Sequence, residues 1–253
     1  MCHDSDASPP VFGPPVSAVT AAGGVLTSVD GQPFASYLAA PREPSGAAVV
    51  VLPDNRGLSG FYEQLCVRLA EQGHWALAVD YYSRTAGLEY ASRTGFDDLA
   101  TLMPHLMGLK KETLYGDIQT GIDHVRRLSD RPVATVGFCV GGRFAFLTGR
   151  PEFELAGVAG FYGALDPING APGPIQLAAD LRTPVLGLFG GADEGIPAEA
   201  VARFGAALAA AGVRHDLVTY PGAPHSFFDL HQEEHLAASA DAWRRLLEFL
   251  GGL

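Results

Sequence analysis

Five short runs of this sequence are apolar almost throughout: "AAVVVLP" (Ala47 to Pro53), "WALAVDY" (Trp75 to Tyr81), "VATVGF" (Val133 to Phe138), "LAGVAGFY" (Leu155 to Tyr162) and "PVLGLFGG" (Pro184 to Gly191). A strand with one wet face alternates apolar and polar residues. A run with no alternation belongs to a strand buried on both faces, as in a parallel sheet. Between the runs lie segments with helical spacing. "FYEQLCVRLAEQG" carries Leu65, Cys66 and Leu69 on one face and Gly73 where a helix ends. Further helices are expected over Glu112–Leu128, from about Val140, over Ala198–Ala211 and near His235–Leu250. Strands alternating with helices predict an α/β protein with a mainly parallel central sheet flanked by helices. Before it, "VLTSVDGQPFASYLAAP" (Val25 to Pro41) predicts an N-terminal β-hairpin turning at Asp30-Gly31.

The chain has 253 residues, enough for one large α/β domain, and no internal repeat or linker divides it. The expectation is an extended arm over residues 1–20 and a single domain over 21–253, with a lid in the irregular stretch at 82–110. Acidic residues exceed basic ones, giving a net charge of −11. That balance argues against nucleic acid or an anionic membrane as partner, since both attract basic surfaces. No apolar run approaches the length of a membrane span. The start "MCHDSDASPP" lacks the basic and apolar regions of a signal peptide. Three cysteines at wide spacing, Cys2, Cys66 and Cys139, fit neither a disulfide framework nor a zinc pair. A reducing, cytoplasmic setting is the simpler reading.

The third apolar run ends in "Gly137-Phe138-Cys139-Val140-Gly141". This is G-x-C-x-G, the cysteine form of the strand–turn–helix elbow that lifts a nucleophile above a sheet. A structural cysteine in a small-residue turn is the bland alternative. "GGADEGIP" then places Asp193 just past a buried strand, and "PGAPHSFFD" places His225 in the loop after the next one. Nucleophile, acid and base in that order, each at a strand's C-terminal end, is the arrangement of an α/β-hydrolase triad. Singly, Asp193 reads as a turn residue and His225 as a polar loop residue.

With these motifs in hand, the chain resembles the dienelactone hydrolases, α/β-hydrolases that open cyclic enol-lactones with a Cys-His-Asp triad. "VGFCVGG", "GGADEGIP" and "GAPHSFFD" carry the resemblance, and "FYG" (Phe161 to Gly163) and the "MCHD" start are also similar. It implies an α/β-hydrolase fold from about Val25 to Leu250. It implies Cys139 as nucleophile, His225 as base and Asp193 as its orienting acid, with no cofactor and no metal. The implied partner is a small ester or lactone, and the protein a monomer or homodimer. The family has an acid beside the cysteine, in the loop after the third strand. Asp54 holds that place where the best-known members have glutamate. A carboxylate there disfavours the thiolate. The same loop implies an oxyanion hole from the backbone N–H groups of Asn55 and Val140. Members that take dienelactone hold its carboxylate with arginines, one of them four residues after the histidine. That position is Asp229 here, an acid that repels a carboxylate. Arg84 and Arg93 are the candidate cations, and Tyr162, Ser226 and Phe227 complete a candidate pocket. Solvated surface arginines are the plain reading of the first two.

"HQEEH" (His231 to His235) matches an inverted zinc-peptidase pattern whose histidines would share a helix face, but such a site needs a further carboxylate ligand on a nearby helix and a compatible fold, and this segment sits at the entry of the last helix of a sheet-based protein. "GFCVGG" lacks the spacing of a dinucleotide loop. Cys66, His74, His105 and His124 read as structural. The function classes left are a cysteine hydrolase, a non-catalytic small-molecule binder on the same fold, and an acyltransferase using the same triad.

Overall fold

The computed structural model describes residues 8–10, 12–229 and 231–253. The expected arm falls partly on residues 1–7 and 11, outside the described residues, and its last two residues already belong to a strand. The chain forms two compact units that divide between residues 133 and 134.

The first unit opens with a hairpin of β1 (Val19–Thr27) and β2 (Pro33–Pro41), paired antiparallel from Val19 with Pro41 to Thr27 with Pro33. It turns as the sequence predicts: Ser28 N–H donates to Gln32 O at 2.9 Å, and Gly31 takes φ 83°. β3 (Ala48–Leu52) and β4 (Trp75–Val79) follow, and the strands lie in the order β1-β2-β4-β3. β4 is antiparallel to β2 and parallel to β3. Helix α1 (Gly60–Glu71) buries Leu65, Cys66 and Leu69. It closes with His74 N–H on Leu69 O and Gly73 N–H on Ala70 O, the paired bonds of a glycine-terminated helix. The stretch expected to be an irregular lid holds short helices instead, α2 (Ser83–Ala86) and α3 (Leu99–Met107). Pro104 inside α3 and its exposed ends, Leu99 and Met107, hid that helix from the sequence pattern. Helix α4 (Lys111–Leu128) buries Leu114, Ile118, Ile122 and Val125, and Gly121 lies against Val50, Leu77 and Val79 of the sheet.

The second unit is wholly parallel: β5 (Val133–Phe138), β6 (Gly157–Phe161), β7 (Val185–Gly190) and β8 (His215–Tyr220), in that spatial order. Every residue of β5, β6 and β7 is buried, as their unbroken apolar runs require. The helices are α5 (Val140–Leu147), α6 (Pro174–Leu177), α7 (Ala198–Ala210) and α8 (Leu236–Gly251). Phe146 of α5 packs against Phe189 and against Phe204 of α7. At the C-terminal ends of β5 and β6, Phe138 stacks on Phe161 at 4.5 Å, and Phe228 joins both. All three are fully buried, each worth about 1.5–3 kcal/mol of transfer free energy.

Between β5 and α5 the chain must turn within one residue. Cys139 is that residue, at φ 54° and ψ −116°, outside the ordinary regions for an L-residue. The glycines around it are steric necessities. A methyl on Gly137 would overlap the Gly141 carbonyl, and one on Gly142 would sit 2.7 Å from Phe161 O and 3.1 Å from Gly163 Cα. Gly142→Ala is therefore expected to destabilise the protein by about 1–3 kcal/mol. Urea unfolding checks it; an unchanged midpoint would mean that the two backbones can separate freely.

Candidate active site

Cys139, Val140, Tyr162, Asp193, His225, Ser226 and Phe227 belong to the second unit; Asp54, Asn55, Arg84 and Arg93 belong to the first. In the second unit the chemistry gathers at the C-terminal ends of parallel strands, where the turns into the following helices leave side chains uncovered. Cys139 tops β5 and is partly exposed. Its N–H donates to Phe161 O on β6 at 3.0 Å, and its own carbonyl accepts Arg143 N–H at 3.2 Å as α5 starts. Val140 N–H lies in the first turn of α5, the region of a helix where N–H groups have no intrahelical partner.

Asp193 follows β7 and is almost buried. One carboxylate oxygen, Oδ1, accepts Gly195 N–H at 2.9 Å and closes its own loop. The other, Oδ2, lies 2.6 Å from Nδ1 of His225. A bond on Nδ1 assigns the donor proton there and leaves Nε2 to accept one. The two loops are tied directly, since Ala192 N–H donates to Ala223 O at 2.9 Å. Gly190 lets them touch: a methyl there would meet the carbonyls of Ala223 and Pro224 at 2.5 Å. The side chain of His225 remains 37 % exposed against 4 % for Asp193, so the imidazole reaches solvent while the carboxylate bound to it does not.

Tyr162 links the strand ends. It follows Phe161, the residue that accepts the Cys139 N–H, and its ring lies 4.9 Å from the His225 ring. Ser226 and Phe227, candidates for the pocket, are 2 % and 0 % exposed. Phe227 packs between Tyr162 and Tyr220, so both residues build the histidine loop from within. Asp229 is also turned inward and accepts the Tyr162 hydroxyl at 2.7 Å. Arg143, buried on α5, holds the 164–172 loop through the carbonyls of Ala164, Asp166, Ala171 and Pro172. The "HQEEH" segment lies in turns, with α8 beginning only after His235, so its histidines do not share a helix face.

In the first unit, Asp54 is fully buried in the loop after β3, and its Oδ1 accepts Arg56 N–H at 2.9 Å. Three tyrosines fix this loop. Asp54 N–H donates to the Tyr62 hydroxyl, the Tyr81 hydroxyl donates to Pro53 O, and the Tyr82 hydroxyl donates to Asn55 O at 2.7 Å. Burial, then the nearby Tyr82, Asp54 and Asp80, holds the Tyr81 phenol well above its ordinary range, so it stays a donor. The two candidate cations are bound by the chain itself. Arg84 bridges Asp30 and Asp117 with four hydrogen bonds, and those partners raise its pKa further. Arg93 makes a buried two-point contact with Asp80 and lies 5.0 Å over the Phe96 ring. The sequence pointed to neither pairing, nor to the Tyr162–Asp229 contact. Their partners lie 13 to 67 residues away in the chain, the longest separation being that of Tyr162 and Asp229.

Known proteins resemble this chain in sequence and in architecture. The profile described as "Dienelactone hydrolase family" matches residues 34–253. A Salmonella typhimurium protein named "Putative carboxymethylenebutenolidase" is 32% identical over 259 residues, covering 97% of this chain and 92% of its own. An Escherichia coli K12 protein of the same name is 32% identical over 231 residues, covering 87% and 82%. Among solved structures, the "Crystal Structure of Putative Dienelactone Hydrolase from Klebsiella pneumoniae subsp. pneumoniae MGH 78578" superposes with a TM-score of 0.81 at 27% identity, covering 93% of this chain and all of that one. A family match that runs from β2 to the last residue, on an α/β-hydrolase fold, makes this chain a member of the dienelactone hydrolase family, a family of hydrolases.

Proposed function

We propose that this protein hydrolyses a lactone, ester or thioester through an acyl-enzyme on Cys139. The observation that carries the reading is the 2.6 Å contact between His225 Nδ1 and Asp193 Oδ2, made at the end of the same parallel strand set whose first member ends in the Cys139 elbow. In the proposed reaction His225 Nε2 takes the thiol proton as the sulfur attacks the acyl carbon. The tetrahedral intermediate collapses, the C–O or C–S bond of the leaving group breaks, and His225 returns the proton to it. Water then loses a proton to His225 and attacks the thioester. The C–S bond breaks, and Cys139 recovers its proton. Asp193 keeps the imidazole in the right tautomer and stabilises its charged form.

The N–H groups of Asn55 and Val140 are the proposed oxyanion donors. One such donor is worth about 3 kcal/mol of barrier. The bracing of the Asp54–Gly57 loop by Tyr62 and Tyr82 supports this role, because a donor that need not move lowers the barrier most. Asp54 is proposed to keep Cys139 protonated until substrate arrives, its negative charge disfavouring the thiolate. The substrate is proposed to be uncharged near its acyl group, since Arg84 and Arg93 already have carboxylate partners.

Cys139→Ala is expected to lower turnover of an activated aryl ester at least about a thousandfold, with the unfolding midpoint unchanged. The native enzyme should show a burst of the phenol under stopped flow; a Cys139→Ala variant with native rates would remove the nucleophile from the scheme. Asp54→Asn keeps the size and removes the charge. It should speed iodoacetamide alkylation of Cys139 about tenfold at neutral pH while slowing turnover. Equal alkylation rates in the two proteins would leave Asp54 as a loop cap alone.

A further inference from the structure

We propose that Asp229 and Tyr162 act as one positioning pair for His225, an inference that rests on the hydrolase reading and assigns these residues a task other than contacting substrate. Asp229 is 1 % exposed, and a carboxylate withdrawn from water costs several kcal/mol unless donors hold it. The Tyr162 hydroxyl, at 2.7 Å, is such a donor. If position 229 only filled space, an apolar residue would do so at lower cost, as Phe227 and Phe228 do beside it. The acid here holds the tyrosine hydroxyl.

Tyr162 in turn is held in an unfavourable backbone conformation. Its φ of 38° is one that a bulky residue seldom adopts, and such strain persists only where the surroundings enforce it. The conformation sets its ring 4.9 Å from the His225 ring with a 57° tilt. Asp193 fixes the imidazole through Nδ1. A ring packed beside the imidazole limits rocking about that bond. Asp193 and Tyr162 together thus fix where Nε2 points.

The loop that carries the histidine is anchored by the same contacts. Ser226, directly after His225, has φ 60°. Phe227 packs edge-on against Tyr162, and its carbonyl accepts the Ser239 hydroxyl at 2.8 Å. Asp229 N–H closes the turn on Ser226 O. Pulling on Tyr162 therefore pulls on His225 both through its ring and through its loop. Because Phe161 accepts the Cys139 N–H, the pair also keys the histidine loop to the residue next to the elbow.

The test uses the full-length enzyme with an activated aryl ester, and Tyr162→Phe, Asp229→Ala, Asp229→Asn and Cys139→Ala. The second readout is the low-field proton resonance of His225 Nδ1–H, which reports the Asp193 bond whether or not Cys139 is the nucleophile. Tyr162→Phe and Asp229→Ala should each lower kcat about 10- to 100-fold with KM little changed, and should shift or broaden that resonance. Asp229→Asn, which keeps an acceptor for the hydroxyl, should restore kcat to near native. The double variant Tyr162→Phe/Asp229→Ala should be no worse than the poorer single one, as expected of a single unit. Native kcat and an unmoved resonance in both single variants would overturn the pairing. So would an Asp229→Asn enzyme as poor as Asp229→Ala, or additive effects in the double variant. Turnover that survives in Cys139→Ala would overturn the hydrolase scheme instead, and the resonance would still decide the positioning role.

Discussion

Cys139 stands where a strand must become a helix within one residue, and its φ of 54° is affordable only because the surroundings hold it there. Those surroundings are backbone. The Cys139 N–H is bound to Phe161 O, and the Gly142 and Gly163 main chains cross so closely that neither tolerates a methyl. Beneath them the stack of Phe138, Phe161 and Phe228 closes the core. The thiol's exposure is a consequence of this packing. A cysteine one turn later would lie on the buried side of α5 with Gly142 and Arg143.

Asp193 and His225, the other two members of the proposed triad, depend on a similar economy of backbone. Gly190 allows the loops after β7 and β8 to touch, Ala192 ties them, and the Asp193–His225 contact follows from that closeness. What each residue presents to water also follows: the acid is enclosed, whereas the imidazole is partly open. In the first unit the loop after β3 is fixed in another way, by tyrosine hydroxyls on its carbonyls and on the Asp54 N–H. Preorganised hydrogen-bonding groups of this kind are what acyl-transfer catalysis requires, because they need not reorganise as charge develops.

The sequence showed the elements whose cause is local. Unbroken apolar runs marked β3 to β7, Asp30-Gly31 marked the hairpin, Gly73 marked the end of α1, and the glycines around Cys139 marked the elbow because steric need leaves no other residue possible. Asp193 and His225 were visible because each follows a strand directly. The partners of Arg84, Arg93 and Asp229 were not visible. Each is chosen by tertiary contact across 13 to 67 residues, and no period or spacing records it. Helix α3 was missed for a different reason: only Leu102 is buried on it, so it has no apolar stripe to read, and Pro104 argues against it. An exposed helix of this kind owes its form to capping by Asp98, whose side chain accepts the Thr101 N–H, more than to burial.

The central claim is that acyl transfer passes through Cys139. The direct measurement is to mix the native enzyme with an aryl acetate, quench with acid within the first turnover, and map the peptides by mass. The account predicts one acetyl group on the peptide containing Cys139, formed no more slowly than the phenol is released and lost again when the substrate is exhausted. Turnover with that peptide unlabelled at every quench time, or with the acetyl group on another residue, would contradict it.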